Sequence, residues 1–488
     1  MSFASYDFLF MFLPLAVLFT WLALSINANR LLIPTIIITS IIFYGYTSFP
    51  HLLLLLVLII LTWLMGVIYS KSGNPALGKL AIAIGVLSNL SSLLVWKYGT
   101  SIIETWNQIG WIQATDPGLI MPLGISFYAL QMIGFLLDLQ RGKTTTSPLP
   151  SFAAFVLFFP QLLAGPIVSH KRMMLEFGKS RTNLSMDQRV DMASLGIAWI
   201  AIGLFKKAVI ADSLARITIP LIVGASANDL TMIEAWQIVL SSGPRLYFDF
   251  SGYCDMAVGI GLLFGISLPH NFNAPGRWAT ITDGWRRWHI TFHNFLRDHV
   301  YRNLKNRFGA SRLGLGVSTL IVFLISALWH GNNLFFLVWG LLCGISWVIL
   351  TSLLSLPNSR YKAIAQKSLV GLLYLFMPLI FVVPDMNIAM FVVSQLIAFD
   401  QLPNNLLSFE AQGGWYLGVI IVIIIYFISE ISTQILLSNK FDHRDRTIFG
   451  LRPPVWVPDV KWAVFILLLL VIAFYFVGKS PPFVYFKF

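Results

Sequence analysis

Runs of about twenty apolar residues recur along this chain, and each is long enough for a helix to cross the ~30 Å hydrocarbon core of a bilayer. In lipid every backbone N–H and C=O must be satisfied within the segment, so such runs can only be helices unless they close into a barrel. Runs of this length and composition make the chain an all-α polytopic integral membrane protein. Spans are read near residues 8–25, 31–48, 51–69, 80–97 and 117–138, on either side of His330, and near 463–478. Together with weaker runs they make a bundle of about eleven spans with re-entrant segments and interfacial helices. Residues 1–488 are treated as one transmembrane domain, with N-terminal spans in 1–100, a core in 115–350 and extra C-terminal spans in 366–480.

Charge is scarce, 11% of residues against 57% hydrophobic, and its placement follows topology. The net charge of +12 comes from Lys and Arg that fall mostly between spans, with no soluble basic domain to hold a duplex, so nucleic-acid binding is excluded. Arg30, Lys71 with Lys79, and Arg141 with Lys143 share one side, while the loops 49–50 and 98–116 carry no Lys or Arg. The positive-inside rule then puts the N-terminus outside, with Lys97 running against the pattern. Phe152–Val168 has basic residues on both flanks and Pro160, Gly165 and Pro166 within it, which reads as a re-entrant segment. Lys206 and Lys207 interrupt residues 192–224, whose topology stays open. Residues 385–413 read as an outside loop and Asn439–Trp462 as a return to the cytoplasm. No cleavable signal is read at the N-terminus, and Cys254 and Cys343, both in apolar context, suggest neither a disulfide framework nor a zinc set.

The chemistry concentrates between Tyr247 and Asn333. From Arg277 to Arg312 eight Lys or Arg face two carboxylates. Trp285, Trp288, Phe292 and Phe295 recur at helical spacing, with Arg286, His289, His293 and Arg297 on a neighbouring face. This predicts one amphipathic helix with a cationic face, either resting on anionic lipid headgroups or binding a phosphate-bearing donor. His289 and His293 are four apart but complete no familiar zinc spacing, so no metal is expected. His330 lies between two apolar runs, where ionisable groups are costly and usually functional. Gly331 beside it leaves room for another molecule to approach the ring, and imidazole can take a proton from an alcohol near neutral pH. The alternative for His330 is a core histidine satisfied by a helical neighbour.

The strings MPLGISFY (121–128), FPQLLAGPIV (159–168), YFDFSGYCDMAVGIG (247–261), NFNAP (271–275), WRRWHI (285–290), FLRD (295–298) and ALWHG (327–331) occur in this order. Together they resemble the membrane-bound O-acyltransferase (MBOAT) family, and within it the bacterial branch that includes the alginate O-acetylation membrane subunit. Cys254 stands where that pattern has a serine. The resemblance implies an acyltransferase of the bacterial cytoplasmic (inner) membrane, with His330 as the essential histidine and His289 as the second, upstream one. It implies transfer of an acetyl group from cytoplasmic acetyl-CoA, a substrate rather than a bound cofactor, to an extracytoplasmic polysaccharide, directly or through a partner protein. On that expectation Arg286, Arg287 and Arg297 hold donor phosphates, and Asp249, Asp255, Asn332 and Asn333 are supporting polar groups, with packing against a basic residue an equal alternative for Asp249. Two other readings remain at this stage: a D-alanyl transferase for teichoic acids, and a polysaccharide or acyl-group transporter without catalysis.

Overall fold

The computed structural model describes residues 1–110, 115, 118–179, 186–275, 280–354, 360–398, 459–478 and 483. The expected outside loop beyond residue 398 and the basic return up to residue 458 lie outside the described residues. Among those described there are helices and no strands, and seven helices are long and apolar enough to cross a membrane. Four shorter apolar helices accompany them. The protein is a multi-pass helical membrane protein. Its internal contacts cluster into two compact units, residues 1–200 with 256–270, and residues 201–255 with 271 onward.

The first unit begins with α1 (Asp7–Asn27), α2 (Arg30–Thr47), α3 (Phe49–Lys71) and α4 (Pro75–Gln108), each falling where an apolar run was read. α1 and α2 meet at a kink where Asn27 leaves helical geometry (φ −155°, ψ 88°). The fifth run gives α5 (Ile125–Gln140), only 16 residues, because Gly124 at φ +78° turns the chain sharply just before it. The segment read as re-entrant is broken into α6 (Leu149–Leu157) and the single turn α7 (Phe159–Leu162), with non-helical Phe158 between them. Nine residues rise only ~13 Å, too short to cross ~30 Å. Nearly every residue from Phe152 to Pro166 is buried, so the irregular backbone is covered by protein, the condition under which a bilayer tolerates it. Phe159 anchors the turn: its N–H donates to Ser40 Oγ at 3.1 Å, and its ring meets Phe12, Phe43 and Phe264 at 5.0–5.5 Å. α8 (His170–Gly178) follows.

The region left open around Lys206 and Lys207 is one long helix, α9 (Asp187–Ser226), antiparallel to α10 (Met232–Leu263). Two glycine pairs let their backbones touch. A Cβ on Gly196 would stand 2.8 Å from the Gly259 carbonyl oxygen, and one on Gly252 would stand 2.6 Å from that of Gly203. Small residues at such crossings replace the hydrophobic drive that helices lack in lipid.

The second unit holds both lysines, buried, on a π-helical turn, Phe205–Ala211, within α9. The Asp212 N–H donates to the Lys207 carbonyl, one residue further than in an α-helix, which brings Lys207 and Asp212 onto one face. Lys207 Nζ lies 2.6 Å from Asp212 and 2.7 Å from Asp249, and Lys206 Nζ lies 2.7 Å from Asp255. Arg245, 5% exposed, lies within the field of Asp249 and Asp212. Three cations thus meet three carboxylates in an apolar interior, which explains how two lysines survive buried in the middle of α9.

Removing one member of such a network leaves its partner charged and buried, which costs about 3–5 kcal/mol, whereas replacing a whole pair by apolar side chains is far milder. Lys207→Met is therefore expected to abolish recovery of folded, monodisperse protein. Lys206→Met combined with Asp255→Leu is expected to give a thermal midpoint above that of either single substitution.

Candidate active site

The stretch expected to be one amphipathic helix is two helices with a break at its central histidine. α11 (Ile281–Arg287) starts at Thr280, whose hydroxyl accepts from the Asp283 N–H at 3.2 Å. Trp288 is extended, and His289 adopts left-handed geometry at φ 44°, ψ 51°, before α12 (Ile290–Leu296) begins. A π-helical turn, Arg297–Tyr301, then leads into α13 (Arg302–Phe308).

The NFNAP segment causes the break. In a continuous helix the Ile290 and Thr291 N–H groups would donate to the Arg286 and Arg287 carbonyls. Instead the Ile290 N–H donates to the Asn271 carbonyl at 2.9 Å, and the Thr291 N–H donates to the Asn271 side-chain oxygen at 3.1 Å. The Arg287 carbonyl accepts from the Asn273 N–H at 3.0 Å. These three bonds replace ones that the break removes, so the unfavourable φ of a non-glycine residue at His289 is held by its surroundings.

His289 is 2% exposed and His330 6% exposed, and both line one cavity of about 620 Å³. Both rings pack on Phe292, with ring centroids 5.0 Å and 5.8 Å from it. His330 is the last residue of α14 (Arg312–His330), with Trp339 and Phe381 at 5.4 and 5.1 Å. These belong to α15 (Leu334–Leu354) and to α17 (Leu379–Val382), which follows α16 (Arg360–Phe376). The space beside Gly331, expected to admit another molecule, is filled by the Phe336 ring, which a Cβ at Gly331 would strike. Glycine is needed there for packing, and access to His330 is through the cavity.

Trp285, Phe323, Trp347 and Tyr374 complete an aromatic wall, while Arg286 and Arg297 bring positive charge to the same cavity. Burial pushes the His289 imidazole down to about 3. Burial, then the charges of Arg297 and Arg286, push His293, also on the cavity, down to about 4. Both rings are therefore neutral at pH 7 and present lone pairs rather than charge.

The other expected site residues are placed differently. Arg287 does not line the cavity: it pairs with Asp283 at 2.9 Å and donates to the Asn273 carbonyl at 3.1 Å, which pins the NFNAP segment. Arg297 lines the cavity but also pairs with its neighbour Asp298 at 2.9 Å. Asp249 and Asp255 belong to the lysine network and are not on the cavity wall. Asn332 and Asn333 are exposed and off the wall, and Asn333 caps α15 by accepting from the Phe335 N–H at 3.1 Å. Among the described residues, no three His, Cys, Asp or Glu gather as metal ligands would. Sequence reasoning missed Asn271, Thr291, Trp339, Tyr374 and Phe381. The NFNAP string was the available signal for the first of these.

Two histidines from separate helices on one enclosed, aromatic-walled cavity agree with a family match that covers residues 39–383 and is described as MBOAT, membrane-bound O-acyltransferase family. The chain belongs to that family. It is similar to the peptidoglycan O-acetyltransferase of Helicobacter pylori, 36% identical over 367 residues that make up 70% of this chain and 68% of that protein. It is 34% identical to the probable alginate O-acetylase AlgI of Pseudomonas aeruginosa over 346 residues, 70% of this chain and 64% of the relative. A teichoic acid D-alanyltransferase of Bacillus subtilis matches at 28% over 234 residues, 46% of this chain and 57% of that one. The chain thus spans about two thirds of the length of the O-acetylating relatives that it matches.

The three arginines of this MBOAT protein separate by structural duty. Arg287→Gln removes a partly buried charge that holds Asn273 and Asp283, so thermal stability is expected to fall by about 1–3 kcal/mol. Arg286→Gln and Arg297→Gln, both at exposed positions, are expected to unfold within about 0.5 kcal/mol of the parent. Thermal unfolding of the three purified variants in one detergent checks the order.

Proposed function

We propose that the protein is a membrane O-acetyltransferase that takes an acetyl group from acetyl-CoA and delivers it to the hydroxyl of an extracytoplasmic polysaccharide, directly or through a partner protein. The observation that carries this reading is the pairing of neutral His289 with His330 on a cavity that also receives Arg286 and Arg297. In this reading His330 is the base. The acceptor hydroxyl gives its proton to the His330 imidazole as its oxygen attacks the thioester carbonyl carbon. The C–S bond then breaks, the CoA sulfur leaves, and the proton on His330 returns to it. His289 orients the thioester or assists the proton path, and the aromatic wall excludes the water that would hydrolyse the donor.

Arg286 and Arg297 are the donor-phosphate ligands in this scheme, by charge-assisted hydrogen bonds. Arg287 is left to its structural pairs. The charge asymmetry of the loops supports an N-terminus outside, and in this reading the donor arrives on the cytoplasmic side of the bacterial inner membrane. Acetyl rather than D-alanyl transfer is favoured because the O-acetylating relatives match 70% of the chain and the D-alanyltransferase 46%. Alginate and peptidoglycan, named for those relatives, exemplify the class of acceptor.

His330→Ala removes a polar ring without stranding a charge, so the variant is expected to fold and to bind acetyl-CoA as the parent does. Its rate of acetyl transfer is expected to fall by a factor on the order of 10² to 10⁴. Near-normal O-acetylation by this variant, or failure only through loss of protein from the membrane, would overturn the assignment. Separately, Arg286→Gln and Arg297→Gln are expected to weaken acetyl-CoA binding, with an affinity that declines as salt is added in the parent and declines less in the variants. Unchanged binding in both would leave this cationic face as a lipid-headgroup contact.

A further inference from the structure

The NFNAP motif has no part in the scheme above, yet its first residue reaches the ring of His289. The Asn271 side-chain oxygen lies 3.3 Å from His289 Nδ1, and accepts from the Thr291 N–H at 3.1 Å and the Thr291 hydroxyl at 2.9 Å. On its other side the Asn271 amide nitrogen donates to Cys254 Sγ at 3.3 Å. A backbone N–H can only donate. The atom that it meets must therefore be the carboxamide oxygen, and the orientation of the Asn271 amide follows without ambiguity. An oxygen in that place is an acceptor only, so the nitrogen of the histidine facing it must carry the proton. In a neutral imidazole the other nitrogen, Nε2, then holds the lone pair.

We propose that Asn271 is the positioning residue of His289, holding the ring in its left-handed backbone setting as the Nδ1-protonated tautomer, with Nε2 as the basic atom. This rests on the reading of His289 as part of the transfer site. Asn271 meets no reacting atom; it acts through the histidine, as a carboxylate does in a catalytic triad. Three bonds from one residue, the Ile290 N–H to its carbonyl and the Thr291 pair to its side chain, fix the backbone as well as the ring. Asparagine has a reason to stand here rather than aspartate. A carboxylate against Nδ1 would favour the imidazolium and raise the pH below which the lone pair is lost. The other ionisable groups around the ring are His293 one turn on, the Cys254 thiol beyond Asn271, His330 packed on Phe292, and Arg286 and Arg297 on the cavity.

The test uses the full chain in lipid nanodiscs. Asn271→Asp is expected to move the acid limb of the acetyl-CoA turnover profile upward by about one pH unit or more, with acetyl-CoA binding unchanged. Asn271→Leu is expected to lower kcat at least about tenfold at constant KM for acetyl-CoA. A role in packing alone would lower the amount of folded protein and leave the pH limb of the folded fraction in place. The second measurement needs neither turnover nor a variant at Asn271. In protein labelled with ¹⁵N-histidine, the resonances lost in His289→Gln are expected to report a neutral ring protonated at Nδ1. A ring protonated at Nε2, or a limb that does not move in Asn271→Asp, overturns the proposal. Full turnover in His289→Gln would instead remove His289 from the transfer scheme, and the nitrogen shifts would still decide which tautomer Asn271 holds.

Discussion

A buried backbone N–H must find an acceptor, and in this protein one asparagine supplies two of them at the point where a helix is interrupted. Without Asn271 the Ile290 and Thr291 N–H groups would have to return to the Arg286 and Arg287 carbonyls, and residues 281–296 would close into a single helix. That helix would carry His289 in ordinary right-handed geometry, on the same face as His293. The interruption turns the histidine out of this register. Arg287 secures the arrangement from the opposite side, since its guanidinium bonds both Asp283 and the Asn273 carbonyl. The second histidine is fixed by different means, at the end of α14, where Gly331 allows Phe336 to pack beside it.

The same requirement explains the charges buried elsewhere. Lys206, Lys207 and Arg245 set against Asp212, Asp249 and Asp255 make a group of no net charge, so no lone ion is left in an apolar interior. The π-helical turn is the local device that achieves it, because one extra residue in the turn aligns Lys207 with Asp212. The ion pairs match the reading of Asp249 as packed against a basic residue, and they place Asp255, expected only as a supporting polar group, in the same network.

Much of the architecture was legible because its cause is the length of apolar runs, which a sequence displays directly. α1 to α4 fall where the runs fall, and the proline and glycine residues of FPQLLAGPIV mark a segment that does break and stay buried. The two histidines that share the cavity were also legible, through motif strings rather than periodicity. The break at His289 was not. Trp285, Trp288, Phe292 and Phe295 have faultless helical spacing, and nothing local signals a left-handed residue, since the cause lies eighteen residues earlier in Asn271. Arg287, as a basic residue beside Arg286, looks equivalent to it in sequence, and only its tertiary partners Asp283 and Asn273 separate the two. Phe336 beside Gly331 shows the limit again, because a glycine next to a histidine reads equally as room for a ligand or room for a ring.

The distribution of polarity within the cavity bears on which step each histidine can serve in the proposed reaction. His289, wholly enclosed and pushed down to about 3, is a poor resting base because protonating it would create a charge far from water. It suits a group that accepts a hydrogen bond or holds an orientation. His330 sits at a helix C-terminus, where the partial negative charge of the last carbonyls favours a transient imidazolium. A base that must carry a proton from the acceptor hydroxyl to the departing sulfur gains from that field only while it is charged, which is during the transfer itself. In the proposed scheme the helix that ends at His330 stabilises that base while it carries the proton, and His289 offers its Nε2 lone pair from a fixed ring.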